Sequence, residues 1–171
     1  MRRIYLDGNA TTPLDPRVRE AMLPWLDCGN ASSPHREGRA ARAAVDRARE
    51  QTAALIGARP REIVFTSGAT ESNAIALAAS SPAGRRVACS AVEHPSVLRT
   101  LQGLGAVELR VLPVDRWGRV AADAAIDEGT ALLSVMLANN ETGTVQPVAA
   151  LAEAARARGA VVHTDAVQAC G

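Results

Sequence analysis

Glu62-Ile63-Val64-Phe65-Thr66-Ser67-Gly68-Ala69-Thr70 marks the point where the sequence changes from helical patterns to short apolar runs that alternate with helices. We predict a strand over residues 62–66, a turn of small residues after it, and a helix over residues 70–80. A strand followed by a turn and a helix is the unit from which a sheet with helices on its faces is built.

The same alternation continues toward the end of the sequence. Further strands are predicted at residues 86–90, 107–112, 131–136 and 160–164, and further helices at residues 95–103, 121–127 and 147–158. The last helix has Pro147 at its start and Gly159 just past its end, as helix boundaries commonly do. This alternation favours a mostly parallel sheet covered on both faces. The predicted fold class is therefore α/β with three layers.

The N-terminal part of the sequence is predicted to form two helices joined by a loop. Asp15-Pro16 provides an N-cap followed by proline at the first helical position, and Pro24 predicts that this helix kinks or ends early. Residues 28–35 are turn-formers and predict a loop. The clearest helix covers residues 37–56 and is closed by Gly57.

Composition limits the classes of function. The net charge of +1 gives no general attraction to nucleic acid or acidic membranes. No apolar run reaches the ~18 residues of a membrane span, and the first residues do not form a signal peptide. The three cysteines are odd in number and widely spaced, so we predict neither a disulfide framework nor a metal pair. We expect a cytoplasmic protein.

Polar clusters follow three of the predicted strands, at the ends where open α/β sheets bind ligands. In Ser67-Gly68-Ala69-Thr70, small residues precede a helix N-terminus, which suits a phosphate; an ordinary helix cap is the alternative. Asp165 ends the run that follows strand 160–164, and its carboxylate could bind a protonated ring nitrogen or cap a helix. Gln168 is close enough in sequence to address the same ligand.

Two further segments carry candidate side chains. Asn139-Asn140-Glu141-Thr142-Gly143, after strand 131–136, has two adjacent amides that could bond a phenolic oxygen or a substrate carboxylate, although Asn-rich turns are common. His94 lies in the loop between strand 86–90 and the next helix. Its imidazole could stack on a flat ring or move protons, or it could be incidental.

Five ordered segments resemble the motifs of the cysteine desulfurases, which are class V aminotransferases of the fold-type I enzymes that use pyridoxal 5'-phosphate (PLP). The segments are residues 4–13, 65–73, 93–94, 138–147 and 163–168. The resemblance covers the whole sequence and implies a partial large domain of the fold-type I PLP-dependent transferases. It divides the sequence into an N-terminal segment on the small-domain side, residues 1–15, and an incomplete PLP-binding large domain, residues 16–171.

The resemblance implies two catalytic residues, His94 and Asp165. Asp165 would pair with the ring nitrogen of PLP, and His94 would stack on the ring and assist proton transfer. Ala69 and Thr70 would bind the cofactor phosphate.

Asn140 and Gln168 would complete the cofactor site near the phenolic oxygen, and no metal is implied. The family converts L-cysteine to L-alanine and passes the sulfur, as an enzyme persulfide, toward iron–sulfur clusters or tRNA thiolation. The implied partners are therefore L-cysteine, sulfur-acceptor or scaffold proteins, and a second copy of the chain in a homodimer. Neither membrane nor direct nucleic-acid binding is implied.

This sequence departs from the family pattern at several points. Gly8 stands where asparagine is frequent, and residues 28–35 form a compressed variant of the usual segment. All 19 Lys and Arg residues are arginine, so the Schiff-base lysine is absent. None of the three cysteines (Cys28, Cys89 and Cys170) matches the sulfur acceptor. We expect an N-terminal fragment that is inactive alone. A selenocysteine lyase or related β-lyase, and a non-catalytic partner-binding half-protein, are the alternatives.

Overall fold

The computed structural model describes residues 4–82, 84–105, 107–124 and 126–170. They form two compact units, one of residues up to Phe65 together with Cys170, and the other of residues Thr66–Ala169. Of the helices within the described ranges, none is long and apolar enough to span a membrane.

The first unit contains the two predicted helices. Helix α1 (Pro16–Met22) begins where Asp15 accepts a hydrogen bond from the Arg17 backbone N–H. It passes at once into a 3₁₀ turn that contains Pro24, so the predicted early end is confirmed.

Helix α2 (Arg36–Ile56) confirms the second helix. Its N-terminus is capped by His35, whose Nδ1 accepts a hydrogen bond from the Gly38 N–H. It ends at Gly57, which takes the left-handed conformation (φ 68°) that favours glycine at this position.

The predicted strand at residues 62–66 is wrong. Glu62 closes a 3₁₀ turn, and the residues after it have no strand partner in the sheet, although all five are described. The Ile63 carbonyl accepts a hydrogen bond from the Arg49 guanidinium, which also lies 5.1 Å from the centre of the Phe65 ring. Apolar composition suits a strand, but a strand also needs a hydrogen-bonded neighbour, and these residues have none.

The second unit is built on a four-stranded parallel sheet. Its strands are β1 (Arg86–Ser90), β2 (Glu108–Leu112), β3 (Thr130–Ser134) and β4 (Val161–His163), in the order β2-β1-β3-β4. The other four predicted strands are thereby confirmed, with small differences at their ends. The mostly parallel α/β sheet is confirmed as well, with four strands rather than five.

Helices cover both faces of the sheet. Side chains alternate along each strand, so neighbours in sequence enter opposite layers. On one face, Leu132 of β3 packs in a cluster with helices α3 (Ala69–Ser80) and α4 (Pro95–Gly103). On the other, Leu133 packs in a cluster with helix α5 (Val148–Arg156). The predicted three layers are confirmed.

The predicted helix at residues 121–127 is wrong. Its described residues, 121–124 and 126–127, form turns and irregular structure; Ala125 lies outside the described residues. Val120 and Ile126 are both buried in the core cluster beside α5. These two residues anchor a connecting loop to the core, although the alanines between them favour a helix by composition.

Leu77 provides a test of the α3 side of the core. Its side chain is fully buried, whereas Ile75 on the same helix is 52% exposed. Leu77→Ala should lower the free energy of unfolding by about 2–5 kcal/mol, because it removes buried methyl groups and leaves a cavity. The matched variant Ile75→Ala should cost well under half as much. Urea unfolding followed by circular dichroism measures both, and equal losses would contradict this assignment of the core.

Candidate active site

The predicted site residues lie at one edge of the sheet. His94 follows β1, Asn140 follows β3, and Asp165 and Gln168 follow β4. Because the strands are parallel, their carboxyl ends meet at the same edge, which is where open α/β sheets bind ligands.

Asp165 is buried and held at both carboxylate oxygens. Its side-chain Oδ2 accepts a hydrogen bond from Asn73 Nδ2 at 2.9 Å, and Oδ1 accepts one from the Val167 N–H at 3.1 Å. Its carbonyl accepts a third from the Leu137 N–H at 2.8 Å, which ties the residue to the chain beyond β3. The carboxylate therefore has a fixed position and orientation.

The start of α3 lies next to this carboxylate. Ala69 and Thr70 precede Asn73 by four and three residues, so they share its face of the helix one turn earlier. The first N–H groups of a helix have no partner within it, and these groups and the helix dipole favour an anion. The bond from Asn73 to Asp165 thus places an anion-binding helix end near the buried carboxylate.

The loop before α3 is held by its own side chains. The Glu71 carboxylate accepts a hydrogen bond from the Ser67 N–H at 2.6 Å, and this bond lowers the pKa of Glu71. The hydroxyls of Thr66 and Ser72 lie 2.7 Å apart. A Cβ placed on Gly68 would meet nothing within 4 Å, so space remains open beside this loop.

His94 caps helix α4 with its ring. Its Nδ1 accepts a hydrogen bond from the Ser96 N–H at 3.1 Å and lies 2.7 Å from the Ser96 hydroxyl. That hydroxyl accepts a hydrogen bond from Asn73 Nδ2 at 3.0 Å. Asn73 therefore bonds to Asp165 on one side and to Ser96 on the other.

An open cleft of about 460 Å³ brings His94 and Asn140 together. It is lined by two short segments, residues 92–95 and residues 139–142. Asn139 holds these walls to each other, because its Nδ2 donates a hydrogen bond to the Val92 carbonyl at 3.2 Å. Its Oδ1 accepts bonds from the N–H groups of the next turn, so the first amide of the pair shapes the loop and the second lines the cleft.

Gln168 lies in the turn that follows Asp165 and is half-buried. The structure thus places all six candidates beyond the carboxyl ends of strands or at the start of α3. It links Asp165 to His94 through hydrogen bonds and His94 to Asn140 through the cleft. Their roles remain predictions.

A buried acid, Glu93, was missed by the sequence analysis as a functional candidate. Its Oε1 accepts hydrogen bonds from the Ser90 hydroxyl and from the Met136 N–H, the latter at 2.8 Å. Burial, and secondarily the Asp165 charge, raise the pKa of Glu93 to about 7, although its hydrogen bonds oppose the shift. Its position next to His94 in the sequence could have identified it as a candidate, but this position does not predict that the carboxyl is buried.

Asn73 and His163 were also missed. Asn73 is only 5% exposed and makes the two bonds described above. His163 lies with Nδ1 2.9 Å from the Ser134 hydroxyl, and burial lowers the pKa of its ring. Both residues lie within the motif segments, but a motif does not show which of its members contact each other.

Of the three cysteines, one is buried and two are exposed. Cys89 is fully buried in the core, and burial raises the pKa of its thiol to about 12, so it is a poor nucleophile. Cys28 and Cys170 are exposed. Among the side chains that the structure describes, no group of three or more His, Cys, Asp or Glu residues could hold a metal ion.

Comparison with known proteins gives consistent matches. The family model described as Aminotransferase class-V matches residues 4–171. A cysteine desulfurase of Sinorhizobium fredii (strain NBRC 101917 / NGR234) is 49% identical, over 100% of this chain and 47% of that relative. A solved structure described as NIFS-LIKE PROTEIN is 37% identical with a TM-score of 0.90, over 98% of this chain and 49% of the other. Another, described as SspA in complex with cysteine, is 36% identical with a TM-score of 0.89, over 96% of this chain and 51% of the other. The chain therefore spans about half the length of these relatives.

The raised pKa of Glu93 predicts how stability depends on pH. Between its ordinary value of 4.5 and the folded value of about 7, the folded state holds a proton that the unfolded state has lost. The contribution of Glu93 to the free energy of unfolding is therefore greatest below about pH 4.5 and is lost as the pH rises toward 7. Glu93→Gln, which resembles the protonated form, should become more stable relative to the natural protein over this range, on the order of 3 kcal/mol.

Urea unfolding at a series of pH values measures this difference. Glu153→Gln, at an exposed position on α5, controls for the loss of a surface carboxylate. A constant difference between Glu93→Gln and the natural protein across the range would show that Glu93 does not titrate in this way.

Proposed function

Because the chain belongs to the class V aminotransferase family, we propose that it is the N-terminal part of a PLP-dependent cysteine desulfurase. The observation that carries the proposal is the buried Asp165 carboxylate, held by Asn73 beside the start of α3. The chain spans about half of its relatives, so the activity, substrate and partners of the whole protein are part of the proposal. In the same way, we propose that residues 1–15 belong to the small-domain side and residues 16–171 to an incomplete large domain.

The residues at this edge of the sheet fit the chemical groups of PLP. The cofactor carries a phosphate, a flat ring with a basic nitrogen, and a phenolic oxygen. The start of α3 suits the phosphate, with backbone N–H groups near Ala69 and the Thr70 hydroxyl as donors. The buried carboxylate of Asp165 suits a protonated ring nitrogen, and the cleft beside His94 and Asn140 is open enough for a flat ligand.

Each residue has a task that follows from its chemistry. When bound, PLP with a protonated ring supplies an electron sink for the substrate carbanion. Asp165 would hold the proton on the ring nitrogen, because a buried, fixed carboxylate favours a positive charge beside it. His94 would cover a face of the bound ring and exchange a proton with the substrate. Asn140 and Gln168 would bind near the phenolic oxygen.

The proposed substrate is L-cysteine. This is supported by the relatives described as cysteine desulfurases and by the similar structure described as a complex with cysteine. The sequence contains no lysine, and its buried Cys89 is unsuited to accept sulfur. We propose that the chain is inactive alone, and that the amine that binds PLP covalently and the sulfur-accepting thiol come from outside these 171 residues.

The wider setting follows from the same proposal. The whole protein is a homodimer that works in the cytoplasm. It delivers sulfur to acceptor or scaffold proteins for iron–sulfur clusters or thiolation.

Asp165→Asn tests the proposed function. In a whole protein that contains this chain, the variant should lower the kcat for alanine formation from L-cysteine by roughly 100-fold or more, because an amide does not stabilise the ring charge. Asp123→Asn changes an exposed acid and serves as the control. Circular dichroism confirms that both variants fold, and the absorbance of retained PLP gives a readout independent of turnover. Unchanged turnover in a folded Asp165→Asn variant would refute the assignment.

Thr70→Ala tests the phosphate site separately. The change removes one hydroxyl donor and leaves the backbone N–H groups of α3 in place. PLP should therefore dissociate more readily, with its affinity reduced roughly tenfold, the equivalent of about one hydrogen bond. Thr52→Ala, whose hydroxyl bonds to the Ala48 carbonyl of its own helix, is the matched control. Equal PLP affinity in the two variants would remove Thr70 from the site.

A further inference from the structure

A continuous chain of hydrogen bonds joins Asp165 to His94. Asn73 Nδ2 lies 2.9 Å from Asp165 Oδ2 and 3.0 Å from Ser96 Oγ. Ser96 Oγ lies 2.7 Å from His94 Nδ1. Two residues of helices α3 and α4 therefore connect the two side chains to which the proposed function gives catalytic tasks.

The direction of each bond follows from what each group can donate. An ionised carboxylate only accepts, so the NH₂ group of Asn73, and not its oxygen, faces Asp165. The second N–H of the same group donates to Ser96 Oγ. The Ser96 hydroxyl then has its own hydrogen to donate, and His94 Nδ1 is the acceptor within reach.

His94 Nδ1 receives a second donor from the backbone. The Ser96 N–H points to the same nitrogen at 3.1 Å. A nitrogen that accepts two hydrogen bonds carries no proton, so a neutral His94 ring holds its proton on Nε2.

We propose that Asn73 and Ser96 are positioning residues that hold His94 in the Nε2–H tautomer. Because Asn73 also donates to Asp165, the same side chain sets the position of that carboxylate. The catalytic consequence rests on the proposed function: Nε2 is then the ring atom of His94 that exchanges protons with substrate. Asn73 does not pass a proton itself, because an amide NH₂ group is a poor relay. Its part is to orient two groups at once.

Helix capping and core packing alone do not explain the Ser96 hydroxyl and the Asn73 amide. The backbone N–H of Ser96 already caps α4 through His94, without the hydroxyl. Asn73 is buried among core-facing residues of α3, where an amide costs free energy unless it is fully bonded. Both of its N–H groups are directed to Asp165 and Ser96.

The tautomer can be measured directly. The sequence contains three histidines, so ¹⁵N-histidine labelling gives three imidazole rings in a two-dimensional ¹⁵N–¹H spectrum. Spectra are recorded at ~pH 8, above the ordinary titration range of histidine. The natural protein should show His94 with an unprotonated Nδ1 and a protonated Nε2.

Substitutions at Asn73 and Ser96 test the hydrogen bonds that lead from Asp165 to His94. In Asn73→Asp, the new carboxyl lies within hydrogen-bond distance of Asp165, so the two carboxyls share one proton. The shared pair accepts from the Ser96 hydroxyl, whose oxygen then faces His94 Nδ1, while the Ser96 N–H still points to that nitrogen. The Nδ1–H tautomer should gain population against this backbone donor, and both ring nitrogen resonances should shift toward each other. Ser96→Ala should give a smaller shift in the same direction, because it leaves no hydroxyl oxygen to accept from Nδ1–H, and Ser96→Thr should restore the natural spectrum.

Ser134→Ala is the matched control, because it removes a buried hydroxyl that bonds to a different ring, that of His163. It should shift the His163 resonances and leave those of His94 in place. Asn73→Leu, of similar volume and without a carboxylate, is measured if Asn73→Asp does not fold, and it should give the same direction of shift as Ser96→Ala.

The proposal is overturned if His94 in the natural protein carries its proton on Nδ1 or exchanges freely between tautomers. It is also overturned if neither the Asn73 nor the Ser96 variants shift the His94 resonances. These results are independent of turnover. If the tautomer responds as expected while Asp165→Asn leaves turnover intact, the chain of bonds stands and the proposed function fails.

Discussion

The hydrogen bond from Asn73 to Asp165 is the contact on which the arrangement of the site depends. It joins a helix to the end of a strand 92 residues later in the sequence, and both side chains are buried. Losing one partner would leave the other unsatisfied in the interior, at a cost of about 1–3 kcal/mol and more for a charged group. One bond therefore fixes both the start of α3, with Ala69 and Thr70, and the depth of the carboxylate.

Among the described residues, two buried carboxyls, Glu93 and Asp165, lie at this edge of the sheet, and their surroundings differ. Glu93 sits among core side chains, and burial, together with the charge on Asp165, raises its pKa to about 7. It therefore takes up a proton readily near neutral pH, which reduces the negative charge beside Asp165. Sites that use one carboxylate as a fixed charge often contain a second whose environment favours the protonated form. Here Glu93 is the carboxyl whose surroundings favour the protonated form.

The sequence predicts those features that local chemistry controls. The end of α2 at Gly57 was predicted correctly, because a glycine in the left-handed conformation ends a helix through its own backbone and needs no distant partner. Residues 62–66 failed as a strand because pairing depends on a neighbour. Residues 121–127 failed as a helix because burial of Val120 and Ile126 in the core outweighs the helix propensity of the alanines between them. His94, Asn140 and Asp165 lie beyond the carboxyl ends of strands at one edge of the sheet, as predicted, since parallel topology follows from strand–helix alternation. Their roles stay predictions. Asn73 and Glu93 were missed because their importance comes from contacts across long sequence separations.

The side-chain amide of Asn73 lies between Asp165 and the Ser96–His94 pair, and it does not conduct protons between them. A chain made only of hydroxyls and carboxylates would let protons redistribute between them, and the carboxylate would lose its charge whenever the ring released a proton toward it. Asn73 donates to both sides and accepts from neither, so it transmits position without transmitting protons. Under the proposed function, the charge of Asp165 and the proton-exchanging ring of His94 are then positioned by side chains of the same two helices. This separation is what a site requires when one residue must hold a charge and its neighbour must move a proton.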